Sequence, residues 1–385
     1  MKESPIEERS AGDPPPPGEE VEVGESRRVE FPCDSCGADM VWDPEADALA
    51  CDYCGNHVEV PRREGTILER PLDEAPTAER GLGIDLRVAS CGTCDARVTF
   101  EGKATSELCV YCGSANVLEQ EANRNAIRPE SLVPLDVSRA QVEESFRKWI
   151  RRLWFRPNAL KKTRRFQAVG IYVPFWTFDA QVHSDWSADA GHYYYVMVPQ
   201  VTQVKGKTVV TMRQERRVRW VPAWGSRDDH FDDLLIHASQ GQPADLVRKL
   251  GGFDTRGLVP YEPQYLAGHR AEEYGVDLDE GWERGQEAIA DAQRSRCSSD
   301  VPGDTQRRLQ VQNHISEVRW KHVLLPIWSL QYAHGGKTYT VLVHGMTGKV
   351  AGRAPLSWTK ILLLVFGILA VIAFAMGIAM GAATL

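Results

Sequence analysis

The sequence lacks most of the short patterns that betray catalytic chemistry. No H-E-x-x-H, no G-x-S-x-G and no dinucleotide-binding glycine fingerprint occurs in its 385 residues. Gly336-Lys337-Thr338 invites a phosphate-loop reading, but Gln331 stands where that motif needs its first glycine, and Thr338 to Val343 reads as a strand, not a helix. Without a nest of backbone N–H groups at a helix N-terminus nothing cradles a triphosphate, so a hairpin turn is expected there. No acid/base pair and no nucleophile can be nominated, and the chain is not expected to be an enzyme. A hydrolase site assembled from polar residues distant in sequence stays open.

Other absences narrow the class further. The opening Met1-Lys2-Glu3-Ser4-Pro5 has no apolar stretch, so no secretory signal is read and no oxidising compartment is implied. There is no basic excess: 45 Lys and Arg face 53 Asp and Glu, a net charge of −8 that weighs mildly against DNA as a partner. Residues 1–28 hold almost nothing to bury and include the run Asp13 to Gly18, which points to a disordered acidic tail. From Ile361 to Leu385 there is no charged residue. A helix of that length spans roughly 37 Å, against a hydrocarbon core of about 30 Å, so residues 360–385 are expected to form one C-terminal transmembrane helix. Lys349, Arg353 and Lys360 precede it, which would leave the N-terminal bulk in the cytoplasm as a single-pass, tail-anchored protein of the inner membrane. Ala373, Gly377 and Gly381 fall four apart on that helix and are candidates for helix dimerisation, set against the general abundance of small residues in membrane helices.

What the chain does have is cysteine in a duplicated pattern. Cys33/Cys36, Cys51/Cys54, Cys91/Cys94 and Cys109/Cys112 are four C-x-x-C pairs, and fourteen residues separate first from second pair in both halves. The second set is the first moved along by 58 residues, and Ala38/Ala96, Tyr53/Tyr111 and Gly55/Gly113 recur with it. Four soft thiolates on two knuckles across a short hairpin suit a tetrahedral zinc ion, so two four-cysteine zinc ribbons and two Zn2+ per chain are expected. A thioredoxin-like redox pair would want a βαβ context, which is missing. His57 is a nearby substitute ligand that four cysteines make unnecessary, and Cys297 has no partner in sequence.

The ribbons take residues 29–61 and 87–120, joined by a charged linker over 62–86. Residues 128–354 read as one α+β domain around a mainly antiparallel β-rich sheet with helices. Val142, Phe146, Trp149, Ile150 and Leu153 form a helical apolar face after the N-cap candidate Ser138, with Glu143 and Glu144 near the helix start. Ile171–Phe178, Tyr193–Val198 and Thr208–Val221 are strand-like, as are Leu309–Val318, Val323–Tyr332 and Lys337–Val343, while Ala244–Leu250 and Leu278–Arg294 are helical candidates. Asp228, Asp229, His230, Asp232 and Asp233 form the densest polar cluster and could bind a metal, but the interleaved apolar residues favour a solvated loop capping a buried element.

The strongest charge signal lies between Arg147 and Arg165, where nine of nineteen residues are basic. Arg147, Lys148, Arg151, Arg152, Lys161, Lys162, Arg164 and Arg165 are candidates for contact with anionic lipid or with nucleic-acid phosphate. The plain alternative is the solvated side of a core helix, since Trp149 falls on its apolar face. The first ribbon is itself acidic, with Asp34, Asp39, Asp43, Glu45, Asp47, Asp52 and Glu59, which favours protein contacts or structural support over phosphate binding.

The layout as a whole is that of a known group. Two N-terminal ribbons, Ile171-Tyr-Val-Pro-Phe-Trp-Thr-Phe-Asp179, Arg219-Trp-Val-Pro-Ala223, Leu325-Pro-Ile-Trp-Ser-Leu330 and the segment Gly336 to Val350 occur together. The chain thereby resembles the YdjG-like family of bacterial membrane-anchored double zinc-ribbon proteins, often labelled primosomal helicase-like or TFIIB-type zinc-ribbon proteins. That resemblance implies the eight cysteines as metal ligands, no catalytic residues, and an association with envelope stress through phage-shock-protein A-like and flotillin-like (SPFH) partners. The helicase label is not carried over, because the chain has no nucleotide-binding motor. The expected function is a non-enzymatic adaptor or scaffold at the membrane recruiting protein partners, with the lipid bilayer as a further partner and a homo-oligomer through the membrane helix as an option. The alternative is a membrane-tethered nucleic-acid binder.

Overall fold

The computed structural model describes residues 31–61, 67–83, 87–100, 108–157, 160, 167–204, 207–241, 244–335 and 337–382. Two small three-stranded sheets come first. β1 (Val41–Asp43), β2 (Ala48–Ala50) and β3 (His57–Val58) form one, in that order. After β4 (Arg70–Pro71), β5 (Arg87–Cys91) lies between β6 (Arg97–Thr99) and β7 (Val117–Glu121) in the second. The remaining elements are β8 (Ser131–Leu132), α1 (Arg139–Arg152), β9 (Gln167–Val204), β10 (Lys207–His237), α2 (Ala244–Leu250), β11 (Val259–Pro260), β12 (Arg270–Ala271), α3 (Leu278–Asp300), β13 (Thr305–His334), β14 (Lys337–His344), β15 (Val350–Gly352) and α4 (Trp358–Ala382).

The main sheet has the order β10-β9-β13-β14-β15, with antiparallel pairing throughout this path. Three of its strands, β9, β10 and β13, are far longer than the usual five or six residues, and the burial pattern of β9 shows why one strand can run so far. Ile171 to Ala180 is buried at every position, as expected of an apolar run covered on both faces. From Gln181 to Ala190 burial alternates, because α3 covers one face only. Beyond Gly191 the partner strand β13 has ended, and β9 continues with β10 alone. Three register shifts bend the sheet, and three of the non-glycine residues at positive φ, Asp233, Arg308 and Glu317, sit in them.

Alternation places the two small modules on opposite faces of one sheet. Tyr172, Leu324, Trp328 and Val343 point to the side where α1 and the first module pack, with Val142, Phe146 and Ile150 of α1 buried. Ile171, Val173, Leu325 and Leu342 point to the side that holds α2 and the second module. Farther along the first of these faces, α3 seats its small residues against the aromatics: Gly281 meets Trp176 and Gly285 meets Phe178. Cys297 lies at the end of the same buried stripe of α3, fully covered, and burial pushes its thiol up.

Several expectations are corrected. The chain is a β-rich domain with few helices and not an α+β fold, because the segments read as separate strands on either side of Val318 are one continuous strand, β13. The Asp228–Asp233 run is not a loop but part of β10. No acid stands in the first turn of α1; the N-cap Ser138 is completed instead by the side chain of Gln141 in a capping box. Within the stretch between the modules, Arg70 and Pro71 pair with Trp320 and Arg319 of the main sheet.

The transmembrane helix is the largest correction. Among the described residues no helix is long and apolar enough to cross a membrane. α4 is apolar, but its side chains are described only as far as Ala373. From Trp358 to that point the helix rises roughly 24 Å at about 1.5 Å per residue, short of a hydrocarbon core of about 30 Å. The tail anchor and the single-pass inner-membrane placement are therefore withdrawn. Of the proposed helix-dimer residues, Ala373 is exposed, while Gly377 and Gly381 lie beyond the described side chains. The acidic tail, residues 1–28, lies outside the described residues as well.

Candidate metal centres

Each module brings its four cysteines to one point. In the first, Cys33 Sγ lies 3.5 Å from Cys54 Sγ and Cys36 Sγ lies 3.5 Å from Cys51 Sγ. In the second, Cys91–Cys112 and Cys94–Cys109 are each 3.6 Å. All four sulfurs of a module fall within 4.8 Å of one another. A tetrahedron with metal–sulfur bonds of about 2.3 Å requires sulfur–sulfur edges of about 3.8 Å, so both clusters fit a four-coordinate metal ion with little adjustment.

The local backbone explains how this geometry is reached. Each knuckle turns back on itself, with the Gly37 and Gly55 N–H groups donating to the carbonyls of Cys33 and Cys51. Asp95 and Gly113 repeat those bonds to Cys91 and Cys109. The turn needs a left-handed residue, and Gly37, Gly55 and Gly113 have φ between +71° and +74°, while Asp95 occupies the fourth such position at 58°. Hydrogen bonds within each cluster hold some of its thiols below the usual range and others above it. Burial opposes ionisation of Cys33, yet hydrogen bonds from the Ser35 and Cys36 backbone together with those of the Cys54 and Asn56 side chains outweigh it and bring the thiol down to about 6. Cys94 beside Cys109 lowers the latter to about 5. His57 is exposed on β3, and four sulfurs already complete that cluster without it.

The modules are docked, not tethered. Trp42 of the first donates from Nε1 to the Leu135 carbonyl at 3.1 Å and stacks edge-on against Tyr265 at 4.7 Å. In the second, the knuckle itself is gripped: the carbonyls of Cys109, Val110 and Tyr111 accept from Gln331, Ser329 and Thr340. Tyr111 donates to Glu272 Oε2 at 2.7 Å, and Ser239 donates to the other oxygen of the same buried carboxylate. Gly113 lies against Thr338, whereas the equivalent Gly55 has open space around it.

One polar cluster was not legible beforehand. Lys321, only 4% exposed, bridges Glu69 at 2.8 Å and Asp233 at 2.6 Å, with Asp179 beside them. Burial, then the neighbouring Glu69, raises the Asp179 carboxyl to about 6. The three carboxylates are close enough to hold a metal, but the ammonium of Lys321 already bridges two of them. Only Asp233, in the acidic run on β10, gave a signal in the sequence.

That run cannot act as one site, because strand alternation splits it. Asp229 turns towards α3 and pairs with Arg227 and Arg296, and the Arg227 hydrogen bond lowers it to about 2. Asp228 turns to the opposite face and binds His183 Nδ1 at 2.6 Å. The basic stretch is likewise divided. Arg147 and Lys148 are paired with Glu143 and Glu144 one turn earlier, while Arg151 and Arg152 are exposed at the end of α1. Lys161, Lys162, Arg164 and Arg165 lie outside the described residues. Trp149 packs against the core, as its place on the apolar face required. β13 and β14 pair antiparallel up to His334 opposite Lys337, and Thr338 to Val343 lies in β14.

No family model matches the chain, and no solved structure matches it. It is 27% identical over 339 residues to the uncharacterized protein YdjG of Bacillus subtilis (strain 168), across 86% of this chain and 92% of that protein. This likeness along most of both chains supports a YdjG-like family, and carries by itself no statement about zinc or membranes.

Proposed function

We propose that the protein is a non-enzymatic adaptor in which two structural zinc ions hold small recognition modules against the opposite faces of a β-rich body. Zinc is the ion favoured by an all-thiolate tetrahedron in a reducing compartment, and it contributes rigidity without chemistry of its own. The observation that carries the adaptor reading is Tyr53. It stands 84% exposed on a knuckle fixed from behind by the cluster, flanked by Asp52 and within an acidic module. An exposed tyrosine on a rigid support is a typical anchor for a protein partner, while the acidic surroundings repel phosphate. The family resemblance suggests phage-shock-protein A-like and flotillin-like proteins as the first partners to try.

The test is a pull-down with the full chain, with and without nuclease, comparing the parent with Tyr53→Ala and with Asp52→Lys. Nuclease-resistant protein partners lost in both variants are expected. Recovery of nucleic acid, with salt-sensitive binding weakened by Arg151→Glu and Arg152→Glu together, would replace the adaptor reading with the nucleic-acid alternative.

A further inference from the structure

Beyond Gly191 the β9–β10 pair leaves the body of the protein as a two-stranded arm. Its register is unbroken from Gly191 opposite Trp220 to Val204 opposite Lys207. At about 3.3 Å per residue that is roughly 45 Å of ribbon. The root is clamped: Asp304 donates its N–H to the Gly191 carbonyl at 2.8 Å, and its carboxylate accepts from the Tyr193 N–H at 2.7 Å.

The arm has two unlike faces, because directly paired residues share a side. One face carries Arg213, Arg217 and Arg219. The other carries Tyr195, Met197 and Val201 from β9 and Val210 and Met212 from β10, each at least 57% exposed. The one ionic residue among them, Arg216, is drawn over the Tyr193 ring at 4.4 Å. An isolated two-stranded ribbon is marginal in water, and an apolar strip of this extent marks a covered surface.

We infer that this apolar face packs against the same face of a second copy of the chain, so that two arms form a small sandwich and the protein dimerises through them. Two observations select this occupant. The strip has no acid and one base already engaged with an aromatic ring, so it meets itself without a row of like charges. Face-to-face packing also leaves the arginine sides of both arms in water, where a phosphate-bearing partner would instead need those arginines and leave the apolar strip exposed. The area is adequate for a reversible dimer. Packing along the whole face of the arm, about 45 by 10 Å on each copy, buries roughly 900 Å2 in total, just under the about 1,000 Å2 of a stable specific interface and in the range of a weak, reversible one. The inference is independent of the metal modules, which sit at the other end of the sheet.

Sedimentation equilibrium on the full, metal-loaded chain tests it. The parent should dimerise in the micromolar range, and Met197→Glu with Met212→Glu should weaken association at least tenfold while retaining the parent's metal content and melting transition. Arg213→Glu with Arg217→Glu, on the opposite face, should leave the dimer intact. A parent that remains monomeric up to about 100 μM overturns the inference. So does a dimer that survives the methionine substitutions, or one abolished by the arginine substitutions alone.

Discussion

Tyr53 and Tyr111 are equivalent residues of a duplicated module, yet one is 84% exposed and the other 2%. The difference comes from what each knuckle faces: Tyr111 is seated on β13 and β14 and donates to Glu272, whereas the first module turns that knuckle outward. Tyr111→Phe deprives a buried carboxylate of a donor and is expected to cost about 1–3 kcal/mol. Tyr53→Phe should fall within about 0.5 kcal/mol of the parent. Urea unfolding of both variants checks this, and equal effects would mean that the second module is not docked through its tyrosine.

Metal content provides a separate check. The two sulfur tetrads predict about two zinc ions per chain, and Cys51→Ser or Cys94→Ser should each reduce this to about one. Release by a chelator should also expose the docked carbonyls of Cys109 and Val110 and lower the melting temperature of the sheet domain. Elemental analysis that returns two metals from either variant would refute the ligand assignment.

Trp42 is the anchor of the first module. It is 3% exposed, lies against Tyr265 and satisfies the Leu135 carbonyl. Trp42→Ala removes a large buried side chain and leaves that carbonyl unpaired, a loss of about 3–5 kcal/mol. Limited proteolysis should then cut between Val60 and the sheet, with the metal still bound to the released module. Unchanged protease resistance would place the anchor elsewhere.

The metal centres were legible because their signal is local: four C-x-x-C pairs at one spacing leave few arrangements open. α2 was readable to its ends for the same reason. What was not legible depends on partners distant in sequence. Glu69, Asp179, Asp233 and Lys321 meet only because β9, β10 and β13 are adjacent, β4 pairs with β13 just after Glu69, and a bulge turns Asp233 inward. The length of β13 was hidden because Glu317, at positive φ in its bulge, breaks the alternation that marks a strand. The apolar stretch at the end of the chain gave the opposite error, since hydropathy reports composition and not the length of a helix.

Small residues on α3 supply a prediction in which two effects oppose each other. Glycine inside a helix costs about 0.5–1 kcal/mol relative to alanine. At Gly281, however, a Cβ would lie 2.6 Å from Cδ1 of Trp176, which is fully buried and cannot retreat. Overpacking of this kind costs about 1–3 kcal/mol, so Gly281→Ala should destabilise despite its better helix propensity. Stabilisation in a thermal melt would show that α3 rides farther from the sheet.

The carboxyl of Asp179 makes stability depend on pH in a defined direction. Its folded-state pKa is raised to about 6, first by burial and then by Glu69, against about 3.9 in an unfolded chain. A raised carboxyl contributes its full share of stability below the unfolded value and loses it as pH climbs through about 6, because the unfolded chain gives up the proton more readily. Asp179→Asn keeps an acceptor for the Asp233 N–H and removes the titration. The variant should therefore gain on the parent between pH 4 and pH 7, by about 1–3 kcal/mol. Taking the difference between the two proteins cancels thiol protonation at the metal centres, which both share. Parallel stability curves would mean that Lys321 holds Asp179 ionised throughout, and that the cluster is an ordinary buried ion pair.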